Sequence, residues 1–179
     1  LVLPAAAQTE APAGAPVLEI EVAGQASGTI RIALRPDLAP LHVERVVTLA
    51  ERGDYDGVVF HRVIEGFMAQ TGDVANGGEG GNPRMWGTGG SDLPNLPAEF
   101  TAEPFLRGVM GMARAMDPNS ANSQFFLMFA TAPHLNGHYT VLGQITDGWE
   151  VLDAIRRGTG ANGAIVGEPD RMISVRVIR

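Results

Sequence analysis

Three stretches of this chain alternate apolar and polar side chains with a period of two. Leu18, Ile20 and Val22 alternate with Glu19 and Glu21, Ile30, Ile32 and Leu34 with Arg31 and Ala33, and Ile173, Val175 and Val177 with Ser174 and Arg176. Successive side chains of a strand point to opposite faces, so this pattern marks strands that bury one face. Further strand candidates are residues 58–63, 67–72, 108–113, 124–129 and 140–145. Two helical patterns interrupt them. Val43, Val46, Val47 and Ala50 form one stripe at helical spacing, with Pro40 suited to the first position and Gly53 to the residue past the end. In the second pattern, Asp147 and Glu150 are spaced like a capping box. Val151, Leu152 and Ile155 give its apolar face, Arg156 and Arg157 suit its last turn, and Gly158 suits its stop. Many short strands with two distant helices suggest a closed barrel with a helix over each open end, because closure removes exposed edges. Periodicity alone goes no further than a mostly-β sandwich or barrel.

Composition narrows the function. The 179 residues suit one domain, and a net charge of -7 lacks the basic stripe that a nucleic-acid partner needs. No apolar run reaches the length of a membrane-spanning helix, so membrane insertion is not expected. Cysteine is absent, which removes disulfides, thiolate catalysis and zinc–thiolate sites. Residues 1–8 (LVLPAAAQ) read like the end of a signal peptide, with cleavage after Ala7. Residues 1–16 are therefore expected to be a signal-peptide remnant and disordered linker, and residues 17–179 one folded domain. That places the protein in the periplasm or outside the cell, with the cytoplasm as the alternative. The stretch 74–100 is rich in Gly, Pro and Asn, as expected of a functional or self-packed loop. It lacks the Lys-Ser/Thr ending of a phosphate-binding loop.

The chemistry concentrates in residues 60–73 (FHRVIEGFMAQTGD). Arg62, Phe67, Met68 and Gln70 combine one permanent cation, two large apolar side chains and one neutral amide. This is a poor set for hydrolysis or metal binding and a good one for gripping an apolar ring and aiming a donor at it. A second segment, residues 120–126 (SANSQFF), places Gln124 and Phe126 on one strand face and Phe125 on the other.

Together the two segments resemble the core motifs of the cyclophilin-type peptidyl-prolyl isomerases. Residues 39–45 (APLHVER), 98–100 (AEF) and 143–145 (GQI) also look like family landmarks, and the resemblance spans nearly all of residues 17–178. It implies a closed eight-stranded antiparallel β-barrel capped by two α-helices. It also implies an enzyme that rotates Xaa-Pro bonds of unfolded or extended proline-containing polypeptides and needs no metal or other cofactor; the Pro/Ala/Gly-rich tail and the single domain suggest that it works as a monomer. Arg62 would donate to the proline nitrogen in the twisted transition state. Phe67, Met68, Phe126 and Leu135 would hold the proline ring, and Gln70 would orient Arg62 or the bound backbone. Gln124 would face the groove, and Ala113 and Arg114 would contact the peptide backbone.

Several positions depart from the family pattern. Arg114 stands where Asn is frequent, and its charge would favour acidic residues near the proline. His134 falls where many members have the Trp that grips cyclosporin, so weak or absent cyclosporin binding is expected. Its protonation in mild acid would weaken apolar binding at the pocket rim. Tyr139 replaces a pocket His but keeps a flat ring and a polar tip, and Glu65 replaces a frequent Pro. His134 and His138 are separated by Asn136-Gly137, a turn signal that argues against a helical metal pair. Two other readings stand beside the isomerase. A proline-binding module without turnover would have no need of Arg62, and a hydrolase would need a nucleophile elbow that is absent.

Overall fold

The computed structural model describes residues 7–179, so the signal-peptide reading of residues 1–6 lies outside the described residues. The alternating stretches pair with one another. Val17–Ala23 (β1) runs antiparallel to both Gly28–Leu34 (β2) and Arg171–Ile178 (β9), with Leu18 opposite Ile32 and Val177, and Ile20 opposite Ile30 and Val175. The register puts every alternating apolar residue of β1 and β2 on one face, where Leu18, Ile20, Ile30, Ile32 and Leu34 are fully buried. The other strands are Val58–Val59 (β3), Arg62–Ile64 (β4), Met68–Thr71 (β5), Val109–Met112 (β6), Phe125–Met128 (β7) and Val141–Asp147 (β8).

These nine strands form one curled sheet in the order β3-β9-β1-β2-β8-β6-β7-β5-β4. The expected closed eight-stranded barrel is therefore corrected to an open half-barrel. Its two ends come from one stretch of chain, since the single expected strand over residues 58–63 splits at Phe60-His61. Phe60 is fully buried and donates its N–H to Asp170 O, continuing the β9 side. Beyond it, β4 pairs with β5 on one edge, while its other edge meets the loop after the second helix. There Arg62 bridges Ala164, and Val63 N–H donates to Gly163 O at 2.9 Å. That loop occupies the edge of β4 along which β9, paired with β3, would otherwise continue. Register shifts in β1, β2 and β6 add the local twist that curls the sheet.

Pro40–Glu51 (α1) starts with Pro40 at its head, and Gly53 beyond it has φ 78°. Val43, Val46 and Ala50 are buried as the stripe requires, Val47 is half-buried, and Leu49 joins the core. The second helix, Trp149–Ala154 (α2), is shorter than expected. Gly148 precedes it with φ 89°, there is no side-chain cap, and Asp147 binds Arg31 at 2.7 Å, so the capping box does not form. The helix stops before Arg156 and Arg157, although Arg157 Nη1 still donates to the carbonyls of Asp153 and Ile155. The N-terminal stretch 9–16 lies along the domain. Thr9 sits between two buried ions, its N–H donating to Glu103 at 2.7 Å and its carbonyl accepting from Arg35 at 2.9 Å.

The β4–β8 half of the sheet buries both faces. Phe125, Leu127, Ala69, Val63, Met110 and Leu142 join the main core. Met68, Phe126, Met128, Val109 and Val141 point the other way, into a second cluster completed by Phe105, Ala132 and Leu135. Because Phe125 is fully buried in the main core, Phe125→Ala is expected to cost about 3–5 kcal/mol in urea unfolding. Ile173→Thr, at a half-exposed position, should stay within about 0.5 kcal/mol.

Candidate active site

Met68, Phe126 and Leu135 of the second cluster form the floor of a groove of ≈ 660 Å³. Strand register builds it as a row, with Arg62 on β4 facing Gln70 on β5, Gln70 facing Phe126 on β7, and Phe126 facing Gly111 on β6. Gly111 has to lack a side chain, because a Cβ there would run into the rings of Phe126 and Phe105. Those rings stack with centroids 5.8 Å apart and planes 22° from parallel. Tyr139 meets both edge-on, at 5.8 Å from Phe126 and 6.5 Å from Phe105. Met68 and Leu135 complete the floor, and Phe67 stands at the wall with His134 5.7 Å away. His134 is exposed and lies on the rim.

A chain of amides fixes the Arg62 cation beside this apolar floor. Arg62 Nη1 donates to Gln70 Oε1 at 3.1 Å, and Arg62 Nε donates to Asn162 O at 3.0 Å. Gln70 Nε2 donates to Gln124 Oε1 at 3.0 Å, and Gln124 Nε2 donates to the carbonyls of Gly87 and Gly89 at 3.0 and 2.8 Å. The guanidinium is thus held from two sides, while its Nη2 group makes no hydrogen bond among the described residues. The last links depend on Asp73, whose fully buried carboxylate accepts from the backbone N–H groups of Ala75, Asn76, Gly87 and Gly89. This buried anion folds the Gly-rich stretch into a wall, satisfying donors that would otherwise be orphaned.

Ten of the eleven residues singled out in the sequence line this one groove: Arg62, Phe67, Met68, Gln70, Ala113, Arg114, Phe126, His134, Leu135 and Tyr139. Gln124 instead borders an adjoining hollow of ≈ 210 Å³ and reaches the groove through Gln70. Arg114 directs its donors at the protein's own backbone. It donates to the carbonyls of Ala115 (2.9 Å), Met116 (3.3 Å) and His138 (2.7 and 3.2 Å), and lies 4.5 Å from the Tyr139 ring centroid. The preference for acidic residues expected from its charge therefore has no free guanidinium fork to act through. Among the described residues no group of three or more His, Asp or Glu side chains could hold a metal ion.

A cation fixed beside an apolar floor, on a curled antiparallel sheet with α1 packed against β9 and α2 against β2, agrees with the comparisons to known proteins. The family model for cyclophilin type peptidyl-prolyl cis-trans isomerase matches residues 17–177. This chain belongs to the cyclophilin-type peptidyl-prolyl cis-trans isomerase family. A probable peptidyl-prolyl cis-trans isomerase of Brucella suis is 52% identical over 152 residues, covering 84% of this chain and 78% of that protein. The crystal structure of a cyclophilin from Hirschia baltica superposes with a TM-score of 0.73 at 25% identity, covering 89% of this chain and 72% of the other. A Cryptosporidium parvum cyclophilin-type isomerase, crystallised in the presence of the dipeptide Ala-Pro, has the same fold. Its TM-score is 0.77 at 24% identity, covering 91% of this chain and 99% of the other.

In this cyclophilin the groove also includes residues not singled out in the sequence, notably His61, Trp86, Asn162, Ala164 and Ile165. Strict alternation would turn His61 away from Arg62, but the break between β3 and β4 frees it from that rule. Trp86 carried a signal, being a large aromatic residue within a Gly-rich loop. Asn162 and Ala164 carried none, because only the bridge at Arg62 brings them there.

Burial, opposed by Asp73 and aided by the nearby Arg62 cation, pushes the His61 imidazole down to about 4. His61 stays neutral in the folded protein while the unfolded chain takes up the proton near an ordinary pH of about 6.5. Its contribution is therefore complete above about pH 6.5 and is lost as pH falls toward 4, by at most about 1.4 kcal/mol per pH unit. Unfolding free energies in urea should decline over this window, and less steeply in His61→Gln. Burial also lowers the pKa of His42, so part of the slope should remain in the variant.

Proposed function

We propose that the groove performs the family's peptidyl-prolyl cis-trans isomerisation by seating the proline ring on Phe126 and Met68 beneath the Arg62 guanidinium. The Xaa-Pro bond resists rotation by roughly 18–20 kcal/mol because rotation breaks amide resonance. In the twisted state the proline nitrogen regains its lone pair and becomes a hydrogen-bond acceptor. A donor aimed at that nitrogen binds the twisted state better than either planar state, and this difference in binding is the catalysis. Each tenfold acceleration needs about 1.4 kcal/mol of it. No nucleophile, metal or proton transfer enters the reaction.

The observation that carries this reading is the posture of Arg62. Gln70 and Asn162 hold two of its nitrogens, and the third is uncommitted beside the aromatic floor. A donor held before the reaction need not reorganise during it, which is what makes such groups effective. Phe67 and Leu135 close the ring's sides, and Tyr139 closes its end. Ala113 and Arg114 lie along the groove where an extended peptide backbone would run.

The substrates in this reading are unfolded or extended proline-containing chains, and the protein assists their folding as a monomer. It acts outside the cytoplasm, a reading supported by the sequence of residues 1–8 alone. An exposed His134 at the rim offers cyclosporin a smaller and more polar surface than a Trp would, which supports weak binding of that ligand.

Cis-to-trans relaxation of an Ala-Pro tetrapeptide tests the mechanism, since the uncatalysed process takes roughly 10–100 s at 25 °C. Arg62→Ala is expected to lower kcat/KM by about 10²–10³-fold, the usual effect of removing one preorganised donor. Arg62→Lys should fall between, because it keeps the charge and loses the fork. Equal rates in all three proteins would remove Arg62 from the mechanism.

A further inference from the structure

The groove continues past Arg62, on the side away from the proline seat. Arg62 pairs with Gln70 on one edge and bridges Ala164 on the other, so Phe126, Gln70, Arg62 and Ala164 follow one another across the sheet. Neighbouring strands lie about 4.8 Å apart, which puts Ala164 roughly 14 Å from Phe126. Trp86 and Pro83 from the Gly-rich loop line the groove together with Ile165 beyond the bridge, and Gly87, next to Trp86, lies against the ring of His61, the neighbour of Arg62. Trp86 is half-buried, and its indole N–H is buried without a partner among the described residues, so the side-chain surface left open is carbon. Ile165 is half-buried and rests on the main core. The carbonyl of Asn162 is taken by Arg62, and among the described residues Arg62 is the only charged side chain lining this end.

We propose that this end of the groove is a second subsite, which takes an apolar or aromatic side chain of the substrate about four residues from the proline. The proposal rests on the groove being the seat of a proline-containing peptide. The occupant follows from continuity, because the two ends share one cavity and an extended chain advances about 3.3 Å per residue. An aromatic guest packs on the open carbon face of Trp86, whereas a lysine would be brought beside the Arg62 cation. The bond that twists lies far from this subsite, so the contact is the same in planar and twisted states. It lowers KM and leaves kcat unchanged.

The test uses nine-residue peptides with a central proline preceded by alanine, carrying Phe, Asn or Lys at the fourth position before or after the proline. Exchange rates are read by NMR with the full chain and with Trp86→Ala. For one of the two placements, Phe should lower KM about tenfold relative to Asn, with Lys no better than Asn. That ratio should fall toward one in Trp86→Ala. In parallel, 5-fluorotryptophan labelling gives two 19F signals, from Trp86 and Trp149. The Trp86 signal should shift with the Phe peptide and not with an Ala-Pro tetrapeptide, which is too short to reach it. Equal KM for Phe and Asn at both placements, an unmoved Trp86 signal, or a Phe preference undiminished in Trp86→Ala would each overturn the subsite. Absence of turnover on the tetrapeptide would instead overturn the isomerase reading. The Trp86 shift, if it persisted, would then still support the subsite as a binding site.

Discussion

The register between β5 and β7 is the constraint on which the rest of the site depends. Gln70 lies opposite Phe126, and Met68 opposite Met128, so two adjacent phenylalanines serve opposite faces of one strand. A slip of one residue would exchange Phe125 for Phe126 and carry Gln70 off the row that holds Arg62. Both faces are buried here, so such a slip would mismatch two cores at once. This double burial makes the register stiff, and the stiffness lets a weak-looking set of side chains act as a defined site.

Around that register, polar order is supplied by two buried groups with opposite habits. Asp73 remains in the interior because backbone N–H groups of the Gly-rich wall surround it. That wall in turn presents the carbonyls of Gly87 and Gly89, which orient Gln124, then Gln70, then Arg62. His61 remains in the interior by giving up its charge. A neutral imidazole beside Arg62 leaves the guanidinium as the one formal charge among the groove residues of β4 and β5, where a developing lone pair would meet it.

Arg114 shows how position and posture differ. Its place on the groove was implied by the family resemblance of residues 113–115, but its charge is turned toward the carbonyls of Ala115, Met116 and His138 and toward the Tyr139 ring. It ties the segment expected to meet the peptide backbone to the segment carrying Tyr139. The helix termini teach the same point. Asp147 had the spacing of a cap, yet Arg31 from β2 takes its carboxylate, because the sheet brings a cation within 2.7 Å.

Local chemistry by itself determined the strands with clean alternation, the proline-led start of α1, and the grouping of Arg62, Phe67, Met68 and Gln70. Each of these follows from side chains a few positions apart, where period and steric preference act directly. Tertiary structure alone decided that the sheet stays open, since the loop at Gly163 and Ala164 takes the edge of β4 that a closed barrel would need. It also decided that Trp86, Asn162 and Ile165 join the groove, that Gln124 works through Gln70, and that His61 is neutral. Those outcomes depend on contacts between residues tens of positions apart and on the exclusion of water, and neither is encoded in the spacing of neighbouring side chains.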